Sequence, residues 1–260
     1  MSTHPPRAGG PRRAPVVPRA TVVIPVRDDA PALAECLRLL AAQTVAPHEV
    51  LVVDNHSGDD SAAIAGRWGA RVVHESQPGI PAAVATGYDT ATGDVILRLD
   101  ADSRPGPDWV ERGLALLADP SVHAASGAGR FDVPGPAGEL LGRVYLGAYY
   151  RLGRPAAGHP QPRGSCLAIP AGPWREVRSR VGRRLDVHDD MDLALALGPA
   201  ARVVVDRAWR VEVSARSVAP GRQWVTRWGR AFRTLRHQWA QRPPWQRWRE
   251  RPQVPSSLAA

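Results

Sequence analysis

Apolar and polar positions fall into short blocks whose period changes along the chain. The first, Thr21-Val22-Val23-Ile24-Pro25-Val26, is a β-branched run of the kind that forms a buried strand. Pro31 opens a segment in which Leu33, Cys36, Leu37 and Leu40 share helical spacing, and proline suits a first turn because its missing N–H would have no partner there. Val50-Leu51-Val52-Val53 predicts a second strand, ending in Asp54-Asn55-His56-Ser57-Gly58, and Asp59, Asp60 or Ser61 can cap a helix running to about Arg67. Ala70 to His74 predicts a third strand, Pro81 to Ala91 a helix of small residues, and Asp94 to Leu99 a fourth strand.

Strands alternating with helices of about ten residues predict right-handed βαβ units, hence an α/β fold with a mostly parallel central sheet flanked by helices. Ligands of such sheets gather beyond the carboxyl ends of the strands. Those ends carry Arg27-Asp28-Asp29, Asp54-Asn55 and Asp100-Ala101-Asp102. The second half is less regular. It predicts a loop over 130–138, a helix from about Glu139 to Leu152 and a Gly/Pro-rich stretch to Gly164. Ser165 to Ile169 then reads as a strand, Asp189 to Leu197 as a helix, and Val203–Val205 and Trp209–Val213 as late strands.

The 260 residues, 43% of them apolar, suffice for one large α/β domain or two small ones and exclude wholesale disorder. The net charge of +9 is unevenly spread, and every basic side chain other than histidine is arginine. Residues 201–260 hold 13 arginines against Asp206, Glu212 and Glu250, while the preceding residues are nearly neutral. That block implies an anionic partner: a membrane surface, a nucleic acid or a polyanionic substrate. Two cysteines, Cys36 and Cys166, make no disulfide framework and suggest a reducing compartment. Residues 1–19, rich in Pro, Gly and Arg, read as disordered and lack the apolar core of a secretory signal. No stretch reaches the ~18 apolar residues of a membrane span, so the expected location is cytoplasmic, or on a membrane without crossing it.

Asp100-Ala101-Asp102 follows a strand and precedes Pro105-Gly106-Pro107, at the ligand edge of the sheet. Alternation by two points both carboxylates the same way, into a site of oxygen ligands suited to Mg²⁺ or Mn²⁺. Taken alone, the same triplet also suits a solvated turn capped by Asp102. In order along the chain, Thr21 to Asp28, Val52 to Asp59, Gly79 to Gly87 and Gly93 to Asp102 resemble the family 2 glycosyltransferases of GT-A fold. The resemblance covers roughly residues 20 to 215. It implies transfer of a sugar, with inversion, from a nucleotide-diphosphate-sugar donor to a hydroxyl acceptor, assisted by Mn²⁺ or Mg²⁺. By position, Pro25 to Arg27 and Asp54-Asn55 match the pocket for the nucleotide base. Asp100 matches the aspartate near the ribose and diphosphate, and Asp102 the metal ligand, with Asp100 beside it.

His188-Asp189-Asp190-Met191-Asp192-Leu193 resembles the family's E-D-x-D-L segment, which places Asp189 beside the donor and makes Asp190 the general base. Acids at a helix start are also favoured by its dipole in any protein. Arg163 to Ala168 stands where the family has its acceptor-side segment. Arg27 and Asp28 replace the usual Tyr-Asn, Asn55 an aspartate, and Val84-Ala85 an Arg-Asn pair. These departures bear on the donor base, and they favour a rival in which the fold is kept for binding without turnover. A second enzymatic alternative is transfer to polyprenyl phosphate, which needs no base.

From Arg222 to Trp239, Trp224, Trp228, Phe232, Leu235 and Trp239 recur at steps of three or four, an arc of roughly 80° on a helix with arginines on its other sides. Residues 218–260 thus read as an Arg/Trp-rich amphipathic segment following a catalytic domain over 20–217. Such a segment either binds an anionic membrane, there to reach a lipid-linked or cell-envelope glycan, or packs its tryptophans on the domain. Single-stranded nucleic acid is a further and weaker alternative.

Overall fold

A computed structural model describes residues 17–132, 155–214 and 222–250, with side chains described over 17–128, 155–214 and 229–250. Strands β1 (Ala20–Val26), β2 (Glu49–Asp54), β3 (Arg71–His74) and β4 (Val95–Arg98) alternate with helices α1 (Ala30–Ala41), α2 (Ser61–Arg67) and α3 (Ile80–Thr90). The strands lie in the order β3-β2-β1-β4, all parallel, with Val26 beside Asp54 and Val23 beside Arg98. The loops after β1, β2 and β4 therefore leave from one edge. Buried on both faces, β1, β2 and β4 are near-continuous apolar runs, as parallel strands require.

The parallel run stops at β4. Beyond it come β5 (Ser103–Pro105), α4 (Trp109–Leu116), β6 (Ala124–Asp132), β7 (Leu167–Pro170), α5 (Ala171–Val177), α6 (Asp189–Leu197) and β8 (Val203–Ser214). The eight-stranded sheet continues β4-β7-β6-β8-β5, with β7 antiparallel to both neighbours, β8 parallel to β6, and β5 antiparallel to β8. The two expected late strands are one. The pairing of β8 with β6 jumps from Asp206 opposite Gly127 to Arg210 opposite Ala128, so the polar interval between the two apolar runs is a bulge. Gly127 is required there, because a Cβ would meet the Cys166 thiol and the Trp209 carbonyl. Residues 130–132, expected as loop, belong to β6. The helix expected at 139–152, most of the disordered start and the boundary near 217 lie outside the described residues.

One face of the sheet is covered by α1, α2 and α4, the other by α3, α5 and α6. Cys36 and Cys166 are both buried and free. Trp109 of α4 stacks on Trp209 of β8 with ring centres 5.4 Å apart, and the Trp209 indole N–H donates to the Trp109 carbonyl at 2.8 Å.

The C-terminal helix α7 (Arg222–Gln241) and the short α8 (Pro244–Arg249) lie against α6. The Gln238 amide donates to the buried Asp192 carboxylate at 2.7 Å and to the Arg180 carbonyl at 3.1 Å, and Ala231 and Leu235 pack beside Met191, Ala194 and Leu195. The docked face thus includes Ala231, Thr234 and Gln238 together with Leu235 of the expected stripe, while Phe232 of that stripe is 66% exposed. The side chains of Trp224 and Trp228 are outside the described set. No helix among the described residues is long and apolar enough to cross a membrane.

Glu49 ties the other edge of the sheet. Its carboxylate accepts from the Thr21 hydroxyl at 2.7 Å, Arg71 at 2.7 Å and the Thr92 amide at 3.0 Å. Burial alone would raise its pKa, but these donors outweigh it and lower the group to about 2. The carboxylate therefore contributes stability above its ordinary value of 4.5 and loses that contribution as pH falls toward about 2. Glu49→Gln should be less stable near neutrality in denaturant unfolding, with the gap to the parent chain closing across that window. A gap independent of pH would show that the charge contributes nothing.

Candidate active site

The loop after β1 is held by the loop after β2. Asp28 adopts a left-handed backbone (φ +51°), which aspartate tolerates better than most residues, and its carboxylate accepts the Gly58 N–H at 2.6 Å. Asn55 closes the next loop: its side-chain amide donates to the carbonyls of Glu75 and Gln77, and its oxygen accepts the Gly79 N–H at 2.5 Å. These bonds draw the N-terminus of α3 against the ends of β1 and β2. A cleft of about 460 Å³ results, lined by Pro25, Arg27, Asp29, Asn55, Asp100 and Asp102 among others.

Five of the residues expected at the donor or the metal thus share one cleft: Pro25, Arg27, Asn55, Asp100 and Asp102. Asp54 is committed elsewhere, accepting the Ser57 N–H at 3.2 Å and facing His74 at 3.0 Å. It shapes the loop rather than the cleft wall. Asn55 lines the cleft, yet its amide is spent on the loop beneath. Its part in this geometry is to place Gly79.

Asp189 and Asp190 begin α6, where the helix dipole favours them. They reach Asp100 through Arg98, a residue not anticipated as part of the site. Alternation along β4 puts Arg98 on the same sheet face as Ile96, the face that α6 covers. Its guanidinium is 5% exposed; one nitrogen pairs closely with Asp189 and another with Asp100 at 3.2 Å. Burial opposes its charge, but the carboxylates of Asp189 and Asp100 outweigh that and hold its pKa well above the usual value. The sequence signal was a lone charge in Val95-Ile96-Leu97-Arg98-Leu99, a strand otherwise apolar.

Gly164 seals the arrangement. A Cβ there would fall about 2.5 Å from the Arg98 guanidinium, while the Gly164 N–H donates to Asp190 at 2.9 Å. In the segment that matches the family's acceptor side, the close approach at this glycine is therefore to Arg98. The other Asp190 oxygen lies 2.7 Å from Nδ1 of His188. Burial would raise the Asp190 pKa, but His188, Arg98 and the Gly164 amide prevail and hold it well below the usual carboxylate range. Asp100 shifts the opposite way, raised first by burial and then by the nearby Asp189 and Asp190, with Arg98 opposing. Asp192, in the same first turn of α6, is buried and bonded to the Gly182 amide and Gln238.

Asp102 and Asp100 offer carboxylate oxygens at the cleft, the donor chemistry that a hard divalent cation prefers. His188, Asp189 and Asp190 form a second group whose potential ligand atoms lie within 4.8 Å of one another. There Asp189 is already paired with Arg98, and Asp190 lies against His188.

A parallel half that presents acidic strand ends to a cleft, joined by a mixed half that brings a further acid pair beside them, is the GT-A arrangement of the nucleotide-sugar transferases. The chain belongs to glycosyl transferase family 2, whose model matches residues 21–153. It is 32% identical to an uncharacterized glycosyltransferase of Mycobacterium tuberculosis over 207 residues, covering 77% of this chain and 79% of that one. It is also 32% identical to the glycosyltransferase AglE of Haloferax volcanii, over 45% of this chain and 41% of AglE. A third relative, 32% identical over 39% of this chain, is an undecaprenyl-phosphate 4-deoxy-4-formamido-L-arabinose transferase of Sodalis glossinidius. The chain spans 34% of that protein, and so less than half the length of each of these last two relatives. Among solved structures, a mannosyltransferase of Pyrobaculum calidifontis in complex with GDP-Man and Mn²⁺ has a TM-score of 0.61 at 24% identity, covering 90% of this chain and 68% of that one. This likeness is one of fold.

Removing Arg98 leaves half-buried acids without their counter-charge. Arg98→Met should destabilise the fold by roughly 3–5 kcal/mol, and Asp189→Asn in the same chain should restore part of that loss. Denaturant unfolding of the single and double variants measures both. Additive losses would mean that the two side chains are not coupled.

Proposed function

We propose that this protein transfers a sugar, with inversion, from a nucleotide-diphosphate donor to a hydroxyl of a lipid-linked or cell-envelope glycan, at the cytoplasmic face of a membrane. The observation that carries the reading is the meeting of Asp100 and Asp102 with the β1 and β2 ends in one cleft, while Arg98 brings Asp189 and Asp190 beside it. Pro25, Arg27 and Asn55 flank the nucleoside, Asp100 and Asp102 face the diphosphate, and Asp189 lies on the donor side through Arg98. Mn²⁺ or Mg²⁺ at Asp102 and Asp100 would neutralise charge on the departing diphosphate. The GDP-Man and Mn²⁺ of the Pyrobaculum mannosyltransferase support that choice of donor and ion. Asp190 accepts the acceptor's proton as its oxygen bonds to the sugar C1 and the bond from C1 to the diphosphate breaks.

A second reading is favoured by one observation. A carboxylate held well below its usual pKa is a weak base for an alcohol, and both Asp190 oxygens already have partners. An acceptor that arrives ionised, such as a polyprenyl phosphate, needs no base. The acceptor in the name of the Sodalis relative is of that kind. Asp190→Asn separates the two. With a hydroxyl acceptor, transfer should be abolished with donor affinity nearly unchanged, because the lost interaction belongs to the transition state. Transfer surviving within about tenfold would move the assignment to a phosphate acceptor. Absence of any donor turnover by the parent chain, with Mn²⁺ present, would leave the fold as a binding module.

The membrane reading rests on the outer surface of α7 and α8. Phe232, Trp245 and Trp248 are exposed there, as are Arg233, Arg236 and Arg249. Aromatic side chains among arginines suit the boundary of an anionic bilayer, each cation near it contributing about 1 kcal/mol. Cosedimentation with phosphatidylserine-containing vesicles should be strong at low salt and weaken as salt rises, and neutral vesicles should bind poorly. Replacing Phe232, Trp245 and Trp248 together with serine should abolish it. Binding that survives the triple substitution would remove these side chains from the interface.

A further inference from the structure

The donor cleft is not built from strand ends alone. Leu185, from the segment before α6, and Arg230, from α7, also line it. Arg230 comes from the part of the chain that, by composition, reads as a separate tail. Its place is set by its helical neighbours. Ala231 packs on α6, the Thr234 hydroxyl donates to the Arg230 carbonyl at 2.9 Å and accepts the His188 N–H at 2.8 Å, and Arg233 donates to the Asp186 carbonyl at 3.3 Å. The helix is thereby pinned to the same 185–192 segment that carries the acids of the site.

The charges lining the cleft are Asp29, Asp100 and Asp102 against Arg27 and Arg230. Arg98 lies behind Asp100, and Arg27 stands 3.6 Å from Asp28. Arg230 is half-buried, and no carboxylate among the described residues forms an ion pair with it. Once a divalent cation balances Asp100 and Asp102, the cleft holds an excess of positive charge with Arg230 as its uncommitted part. A ligand that brings two negative charges on adjacent phosphates meets that excess. Guanidinium is the side chain best matched to phosphate, because its fork can donate two parallel N–H bonds.

Resting on the donor reading above, we infer that Arg230 contacts the diphosphate of the nucleotide sugar, so that α7 completes the active site. Its guanidinium then adds to the charge that stabilises the departing nucleoside diphosphate. The contact also explains why Thr234 and Gln238, two polar residues, form the docked face of the helix. They fix its rotation, and the rotation aims Arg230.

The test uses the full chain with Arg230→Ala and Arg230→Lys, and measures affinity for UDP, GDP and dTDP with Mn²⁺ by calorimetry, beside the matching monophosphates. The diphosphate that binds the parent chain should bind Arg230→Ala about tenfold or more weakly, the loss expected for one charge-assisted contact. The monophosphate should change little, and Arg230→Lys should recover part of the affinity. The melting temperature without nucleotide should stay at the parent value, since no carboxylate among the described residues pairs with Arg230. Unaltered diphosphate affinity in Arg230→Ala overturns the assignment, as does an equal loss for mono- and diphosphate, which would mean that the helix has shifted. Failure of all three diphosphates to bind the parent chain sinks the donor reading itself, and the role of Arg230 with it.

Discussion

The guanidinium of Arg98 is the interaction on which the rest of this site depends. Asp100, Asp189 and Asp190 come from two distant parts of the chain and stand close together in a partly buried space. Carboxylates cannot gather that way without a counter-charge, because each would be driven to neutralise instead. Arg98 supplies the charge from the end of a central strand, the most rigidly placed position available. Several features then follow. Gly164 lacks a side chain because the guanidinium occupies the space. Helix α6 starts where Asp189 can reach the same group, and its far end is satisfied in a complementary way. There His159 and Arg247 lie against the carbonyls of Ala194 and Leu195 at 3.0 and 2.8 Å. Acids at one end and cationic or polar N–H groups at the other both suit the helix dipole.

The second half of the site depends in turn on the C-terminal helix. Gln238 satisfies one oxygen of the buried Asp192, whose other oxygen takes the Gly182 amide, and Thr234 takes the His188 amide just ahead of the acid pair. A segment that composition marks as a basic appendage is, in space, the backing of the acidic segment. Its two surfaces are different in kind. The inner one joins apolar contacts of Ala231 and Leu235 to the hydrogen bonds of Thr234 and Gln238, whereas the outer one carries exposed Phe232, Trp245 and Trp248.

Much of the parallel half was legible in the sequence, because strands buried on both faces must be continuous apolar runs, and β1, β2 and β4 are. The acids at their ends were legible for the same reason, since polar residues stop those runs abruptly. Strand β6 was not. Ala124-Ala125-Ser126-Gly127-Ala128-Gly129 has no β-branched residue, and its small side chains reflect the Cys166 and Trp209 atoms pressed against it. Arg98 was overlooked because a charge in a strand ordinarily signals exposure, and its burial is made tolerable by Asp100 together with Asp189, 91 residues further on. The docked face of α7 was legible only in part, through Leu235 of the apolar stripe. An amphipathic pattern locates the apolar stripe, but Thr234 and Gln238 belong to the interface through specific bonds that periodicity does not register.

The stacked indoles of Trp109 and Trp209 have a use beyond packing. They join α4 to the bulged part of β8, deep in the sheet's mixed half, with their planes 22° apart. Two indoles so close and rigidly oriented couple their electronic transitions, giving a near-ultraviolet circular dichroism signature that exists only while this part of the sheet is assembled. Trp245 and Trp248, being exposed, respond instead through their emission wavelength to whatever meets the outer surface. The protein therefore carries optical reporters of both its interior and its surface, the exposed Trp68 among the latter, without any added label.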